Sequence, residues 1–122
     1  MLLKSKYKQI LFEIFSGITA PIEVCAYGSR VTGTAHEGSD LDLVVRAPNN
    51  EKFPMDMLMG LKEKIRESNI PILVEIFDWA RLPESFHKNI EASHEVLYSS
   101  SELNILHEPE TEYNKKKPEE NG

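Results

Sequence analysis

Asp40 and Asp42 stand two residues apart around an apolar run that includes Leu41, Leu43, Val44 and Val45. On a β-strand, residues i and i+2 project from the same face. The spacing therefore sets two carboxylates side by side on a rigid element. Like charges so placed repel. A hard divalent cation such as Mg²⁺, which prefers oxygen ligands, removes the conflict. Upstream, Gly28-Ser29 forms a small-residue turn whose backbone N–H groups and hydroxyl suit a phosphate. Metal carboxylates and a phosphate cradle together outline a site for phosphoryl or nucleotidyl transfer.

Glu75 is a third acidic candidate. Its neighbours Val74, Ile76 and Phe77 are apolar, so it is an acid within a strand that otherwise reads as buried. An unpaired buried carboxylate is costly, so Glu75 must face solvent, a cation or a metal. Plain exposure at a sheet edge is one reading, and a site shared with Asp40 and Asp42 is the other. Asp78, three residues on, points to the opposite face and reads as a strand-end or cap residue. Arg30 suits a phosphate contact or a structural ion pair equally well. His36 reads as a solvated loop residue. His87, His94 and His107 have no metal-type spacing with Cys or one another and read as non-ligands. Trp79 reads as packing.

Tyr7, Ile10, Leu11 and Ile14 recur at helical spacing, with Gly17 as a stop. Residues 22–27 form an apolar strand after Pro21, and residues 40–46 form a second strand. Ala47-Pro48-Asn49-Asn50 is a turn. Residues 54–68 read as a helix with Leu58, Leu61 and Ile65 on its inner face, broken by Asn69-Ile70-Pro71. Residues 72–77 are a third strand. Pro83 opens a last helix containing Phe86 and Ile90, and residues 96–98 are a short apolar close. The order helix, strand, strand, helix, strand, helix describes a small α+β, α/β-sandwich-like sheet with helices mainly on one side.

One domain is expected from 122 residues, spanning 1–100, with a polar acidic tail at 101–122. Within the tail only Leu103, Ile105 and Leu106 could bury, so disorder is expected beyond 108. The formal net charge is −6, half of it in the tail, which holds six acidic and three basic side chains. That balance argues against broad nucleic-acid binding, which needs a basic footprint. No apolar run is long enough to span a membrane, and the charged start lacks a signal-peptide core, so a cytoplasmic protein is expected. Cys25, the single cysteine, lies in an apolar run and reads as a buried, inert thiol.

Gly28-Ser29, ten residues, then Asp40-Leu41-Asp42 resembles the signature of the DNA polymerase β nucleotidyltransferase superfamily. The wider wording, Gly28-Ser29-Arg30-Val31-Thr32-Gly33-Thr34-Ala35 followed by Ser39-Asp40-Leu41-Asp42-Leu43, resembles its minimal bacterial and archaeal branch. The likeness continues through Val74-Glu75-Ile76-Phe77-Asp78-Trp79-Ala80 and Glu84-Ser85-Phe86, covering roughly residues 5–98. In that branch the third acid is usually Asp, whereas Glu75 is one methylene longer.

The resemblance implies the polymerase β-like fold with a mixed sheet. It implies Mg²⁺, as two ions, held by Asp40, Asp42 and Glu75, with Glu75 helping to deprotonate an incoming hydroxyl. Gly28, Ser29 and Arg30 would bind a nucleoside triphosphate, ATP by expectation, and NMP would be transferred with release of pyrophosphate. The branch commonly pairs with a helical HEPN-domain toxin, which the transferase silences by adenylylating a tyrosine. Two other readings stay open: a binding module that neutralises the HEPN partner by contact alone, and a solitary small-molecule nucleotidyltransferase.

Overall fold

The structure is a computed structural model that describes residues 1–36 and 38–100. The expected disorder beyond 108 lies outside the described residues. Four strands form one sheet: β1 (Glu23–Tyr27), β2 (Leu41–Arg46), β3 (Val74–Asp78) and β4 (His94–Ser99). Their order is β3-β2-β1-β4. β1 is antiparallel to both β2 and β4, whereas β2 and β3 run parallel. The sheet is therefore mixed. α3 (Met55–Arg66) forms the crossover between the two parallel strands, as such a connection requires.

Helix α1 (Ser5–Ser16) closes at Gly17, whose N–H donates to the Ile14 carbonyl, while the Ile18 N–H donates to the Phe15 carbonyl. It buries Leu11 and Phe15, and α3 buries Leu58, Leu61 and Ile65. Both helices cover one face of the sheet, where Val24, Ala26, Leu41, Leu43, Val45 and Ile76 join them in a single core. The alternation of β1 and β2 sends Cys25 and Val44 to the other face, where Trp79 and Ile90 of α4 (Glu84–Ala92) cover them. The helices thus lie mainly on one side, with α4 as the smaller cover on the other.

Element edges differ from the sequence expectation in instructive ways. Asp40 sits just outside β2, because the ladder starts where the Leu41 N–H donates to the Leu73 carbonyl at 2.9 Å. β3 begins at Val74 and runs on to Asp78, a residue beyond the apolar pattern, because Asp78 pairs with Val45. Two elements went unread. α2 (Ser29–Thr32) is a single turn, too short for any periodicity. β4 carries a mixed pattern, His94-Glu95-Val96-Leu97-Tyr98-Ser99, and is held by pairing with β1 through a bulge. Tertiary pairing outweighs weak local preference there.

Candidate active site

One row of partners crosses the sheet. His94 pairs with Tyr27, Tyr27 with Asp42, and Asp42 with Glu75. Neighbouring strands lie about 4.8 Å apart, and paired residues share a face. The row therefore lines the face opposite α1 and α3, at the end where β1 stops and β2 and β3 start. The parallel β2–β3 pairing brings Glu75 beside Asp42, although 33 positions separate them in sequence. Asp42 is half-buried, and Asp40 and Glu75 are exposed.

Two features converge on Asp42. Its carboxyl is pushed above the ordinary value of 3.8, first by burial, then by the charges of Glu75 and Asp40. Asp42 also faces Gly28, which has φ +85 and ψ −158, a conformation essentially confined to glycine. A Cβ at position 28 would stand 2.8 Å from Asp42 Oδ2. Glycine is therefore required twice here, by the backbone and by the closeness of the carboxylate.

From Gly28 the chain turns into α2. The Val31 and Thr32 N–H groups donate to the Gly28 carbonyl at 3.0 Å each. The first N–H groups of the turn have no partner inside a helix, and Gly28 at its start lies beside the Asp42 carboxylate. The Ser29 carbonyl accepts from the Gly33, Thr34 and Ala35 N–H groups at 3.0, 3.1 and 3.2 Å. With Gly33 at φ +91, these bonds wind the loop back toward Asp40.

Arg30 takes a different place from the phosphate contact considered above. It is 6% exposed. Its Nε donates to the Ser39 carbonyl at 3.0 Å, Nη2 to the His36 carbonyl at 3.5 Å, and Nη1 to the Leu2 carbonyl. The guanidinium braces the loop and the N-terminal segment against α2, which makes it a positioning residue for Asp40. The structural alternative takes the form of hydrogen bonds to these backbone carbonyls.

Asp78 caps the strand end, as its position suggests, and it is buried. It accepts from the Ala80 N–H at 3.2 Å and the Phe53 N–H at 2.9 Å, and it pairs with Arg81 at 2.6 Å. Its carboxylate is thus occupied away from the row. The three described histidines are also engaged. His36 Nδ1 accepts from the Gly38 N–H, His87 Nε2 donates to the Trp79 carbonyl, and His94 Nδ1 donates to the Ile90 carbonyl. His107 lies outside the described residues. Trp79 packs between Arg46, whose guanidinium is 4.1 Å from the ring centroid, and His87, stacked at 3.9 Å. Cys25 is buried, and burial followed by the Glu23 charge pushes its thiol up to about 12.

Tyr27 was missed in the sequence. It precedes Gly28 on β1, and that adjacency is the signal that could have flagged it. Burial, then Asp42 and Glu75, push its phenol up to about 12, so it stays a protonated donor at neutral pH.

Among the described residues, no three His, Cys, Asp or Glu side chains stand together as a ready-made metal cluster. The donor set nevertheless suits a hard cation. Asp42 carries a repulsion that a divalent ion would relieve, and Mg²⁺ favours one or two carboxylates completed by phosphate oxygens over an all-protein cage. No described helix is long and apolar enough to cross a membrane.

Comparison with known proteins agrees with this fold. Residues 9–103 match the family model described as polymerase beta, nucleotidyltransferase. The chain is 35% identical over 97 residues to the probable protein adenylyltransferase MntA of Haemophilus influenzae, covering 78% of this chain and 82% of that protein. In fold it resembles a toxin–antitoxin crystal structure with AMP-PNP, with TM-score 0.62, 17% identity, and coverage of 81% of this chain and 79% of that one. The toxin–antitoxin MntA-HepT structure is similar too, with TM-score 0.59, 11% identity, and coverage of 84% and 80%.

Proposed function

The chain belongs to the polymerase beta nucleotidyltransferase family and is a nucleotidyltransferase, and from that premise we propose that it transfers AMP from ATP to a tyrosine of a helical HEPN-domain toxin, acting as its antitoxin. The observation that carries the reading is the pairing of Asp42 with Glu75, beside a glycine that leaves no room for a side chain. The adenylyltransferase relative points to the same group transfer and to a protein acceptor.

Each residue then has a task. The N–H groups at Gly28-Ser29 and the Ser29 hydroxyl hold the terminal phosphates. Asp40 and Asp42, with Glu75 beside them, would hold Mg²⁺, which supplies charge neutralisation on the phosphates when bound. Glu75 is exposed and one strand outward from Asp42, so it is open to an arriving hydroxyl and takes its proton. The hydroxyl oxygen bonds to the α-phosphorus, the bond to the β-phosphate oxygen breaks, and pyrophosphate leaves. Arg30 does not touch the nucleotide in this reading. It holds the loop that carries Asp40.

The test is the intact mass of a co-expressed HEPN partner. A gain of one or more AMP units supports transfer. Glu75→Gln should lower transfer by about 10²–10⁴-fold, the usual loss of a general base, with partner binding kept. Glu75→Asp should keep or raise it. An unmodified partner that is still neutralised would establish instead the binding-only reading.

A further inference from the structure

β3 is an outer strand of the sheet, and Glu75 lies on it. The Leu41 N–H donates to the Leu73 carbonyl, so Leu73 directs its backbone groups inward to β2. N–H and C=O groups alternate sides along a strand, so Glu75 and Phe77 also bond inward. Val74 and Ile76 therefore aim theirs out, away from the sheet. Such an edge is a template for another strand.

The edge is bounded. At its far end the Asp78 carboxylate holds the Phe53 N–H, and Arg81 Nη1 donates to the Phe53 carbonyl at 2.8 Å. Among the described residues that leaves roughly five positions, 73–77, open to a partner. Alongside runs a groove of about 510 Å³, lined by Lys62 and Ile65 of α3 together with Leu73 and Val74. Leu73 is 58% exposed, unusual for a leucine beside a core. Leu73, Glu75 and Phe77 share one face and read apolar, acid, apolar.

We infer that the acceptor docks as an extended segment added to the β3 edge, with its hydroxyl-bearing residue opposite Glu75 and apolar residues two places to either side. This rests on the proposed function for the role of Glu75, but the docking itself is a binding claim. The row His94, Tyr27, Asp42, Glu75 continues one strand outward into the docked segment. A side chain paired there has its Cβ about 5 Å from that of Glu75. A tyrosine at that place can reach back over Glu75 toward Asp42. Leu73 and Phe77 then face apolar partners, which defines an apolar-x-Tyr-x-apolar preference in the acceptor.

The probe is the pentapeptide acetyl-Val-Thr-Tyr-Thr-Val-amide, titrated at millimolar concentration into the ¹⁵N-labelled protein. The Val74 and Ile76 amide resonances should shift saturably. Two alternately N-methylated peptides test the pairing, one methylated at both threonines and one at tyrosine and the flanking valines. One set of N–H groups faces β3 and the other faces away, so one peptide should bind about tenfold or more weakly and the other should bind like the parent. Val74→Pro removes one outward N–H and leaves the ladder bonds to β2 intact, which is the tolerated use of proline at an edge. It should weaken the parent peptide likewise. Equal binding of all three peptides, loss with both methylated forms, or shifts away from 73–77 would overturn the inference. Transfer to the peptide with no sensitivity to methylation would leave the function standing and remove the docking mode. Edge-dependent binding without transfer would do the reverse.

Discussion

At the residue scale, Asp42 is where the cost of the site is concentrated. Its carboxyl titrates above its ordinary value, first through burial and then through Glu75 and Asp40. An acid raised in the folded state binds more protons there than in the unfolded chain. Stability is therefore fullest below the ordinary value of 3.8 and falls as pH rises through the raised one. Asp42→Asn removes that loss. The variant should gain stability relative to wild type as pH rises from about 4 to about 7, measured by urea unfolding at each pH. Added Mg²⁺ and nucleotide should stabilise wild type and leave the variant little changed. Transfer by Asp42→Asn or Asp40→Asn near the wild-type rate would refute the metal assignment.

Among the elements, the loop from α2 to β2 decides where Asp40 stands, and Arg30 decides the loop. Its three carbonyl partners lie in two separate segments, the loop and the N-terminal strap. Arg30→Lys keeps the charge but cannot reproduce a planar fork. Acceptors left unpaired cost about 1–3 kcal/mol each when buried, and these bonds are part-buried, so a loss of ~2 kcal/mol in all is expected, read as a fall in thermal midpoint of about 4–8 °C per kcal/mol for a domain of this size. Protease cleavage within the loop should quicken in parallel. Triphosphate affinity in the cold, where the variant remains folded, should change far less. A collapse of that affinity with stability intact would return Arg30 to the phosphate.

For the whole molecule, the described residues already close a core on one sheet face and a smaller one on the other. Residues 109–122 are polar, with no leucine, isoleucine, valine or phenylalanine to add to either. Deleting them should leave the thermal midpoint and transfer rate nearly unchanged, as read by calorimetry and AMP incorporation. A fall in midpoint would show that the segment packs on the domain. Partner binding lost with stability kept would make it a recognition segment.

Composition and pattern were enough for the helix α1, the inner faces of α3, the strands β1 and β2, and the candidates Gly28, Ser29, Asp40 and Asp42. Those are local properties: periodicity, a glycine turn, and two acids at strand spacing. The Glu75 strand was legible as well, and a site shared with Asp40 and Asp42 was one of its two readings, but the register was not. Only the parallel register of β2 and β3 puts Glu75 beside Asp42, because strand pairing is a long-range contact that no local pattern encodes. The same holds for β4, whose six residues gain their structure from β1. Arg30 is the sharpest case. Its charge suits a phosphate and a carbonyl cradle alike, and burial against Ser39, His36 and Leu2 chose the cradle. Residue type and spacing set which chemistry was available, whereas folding decided which groups met and which were spent on holding the others in place.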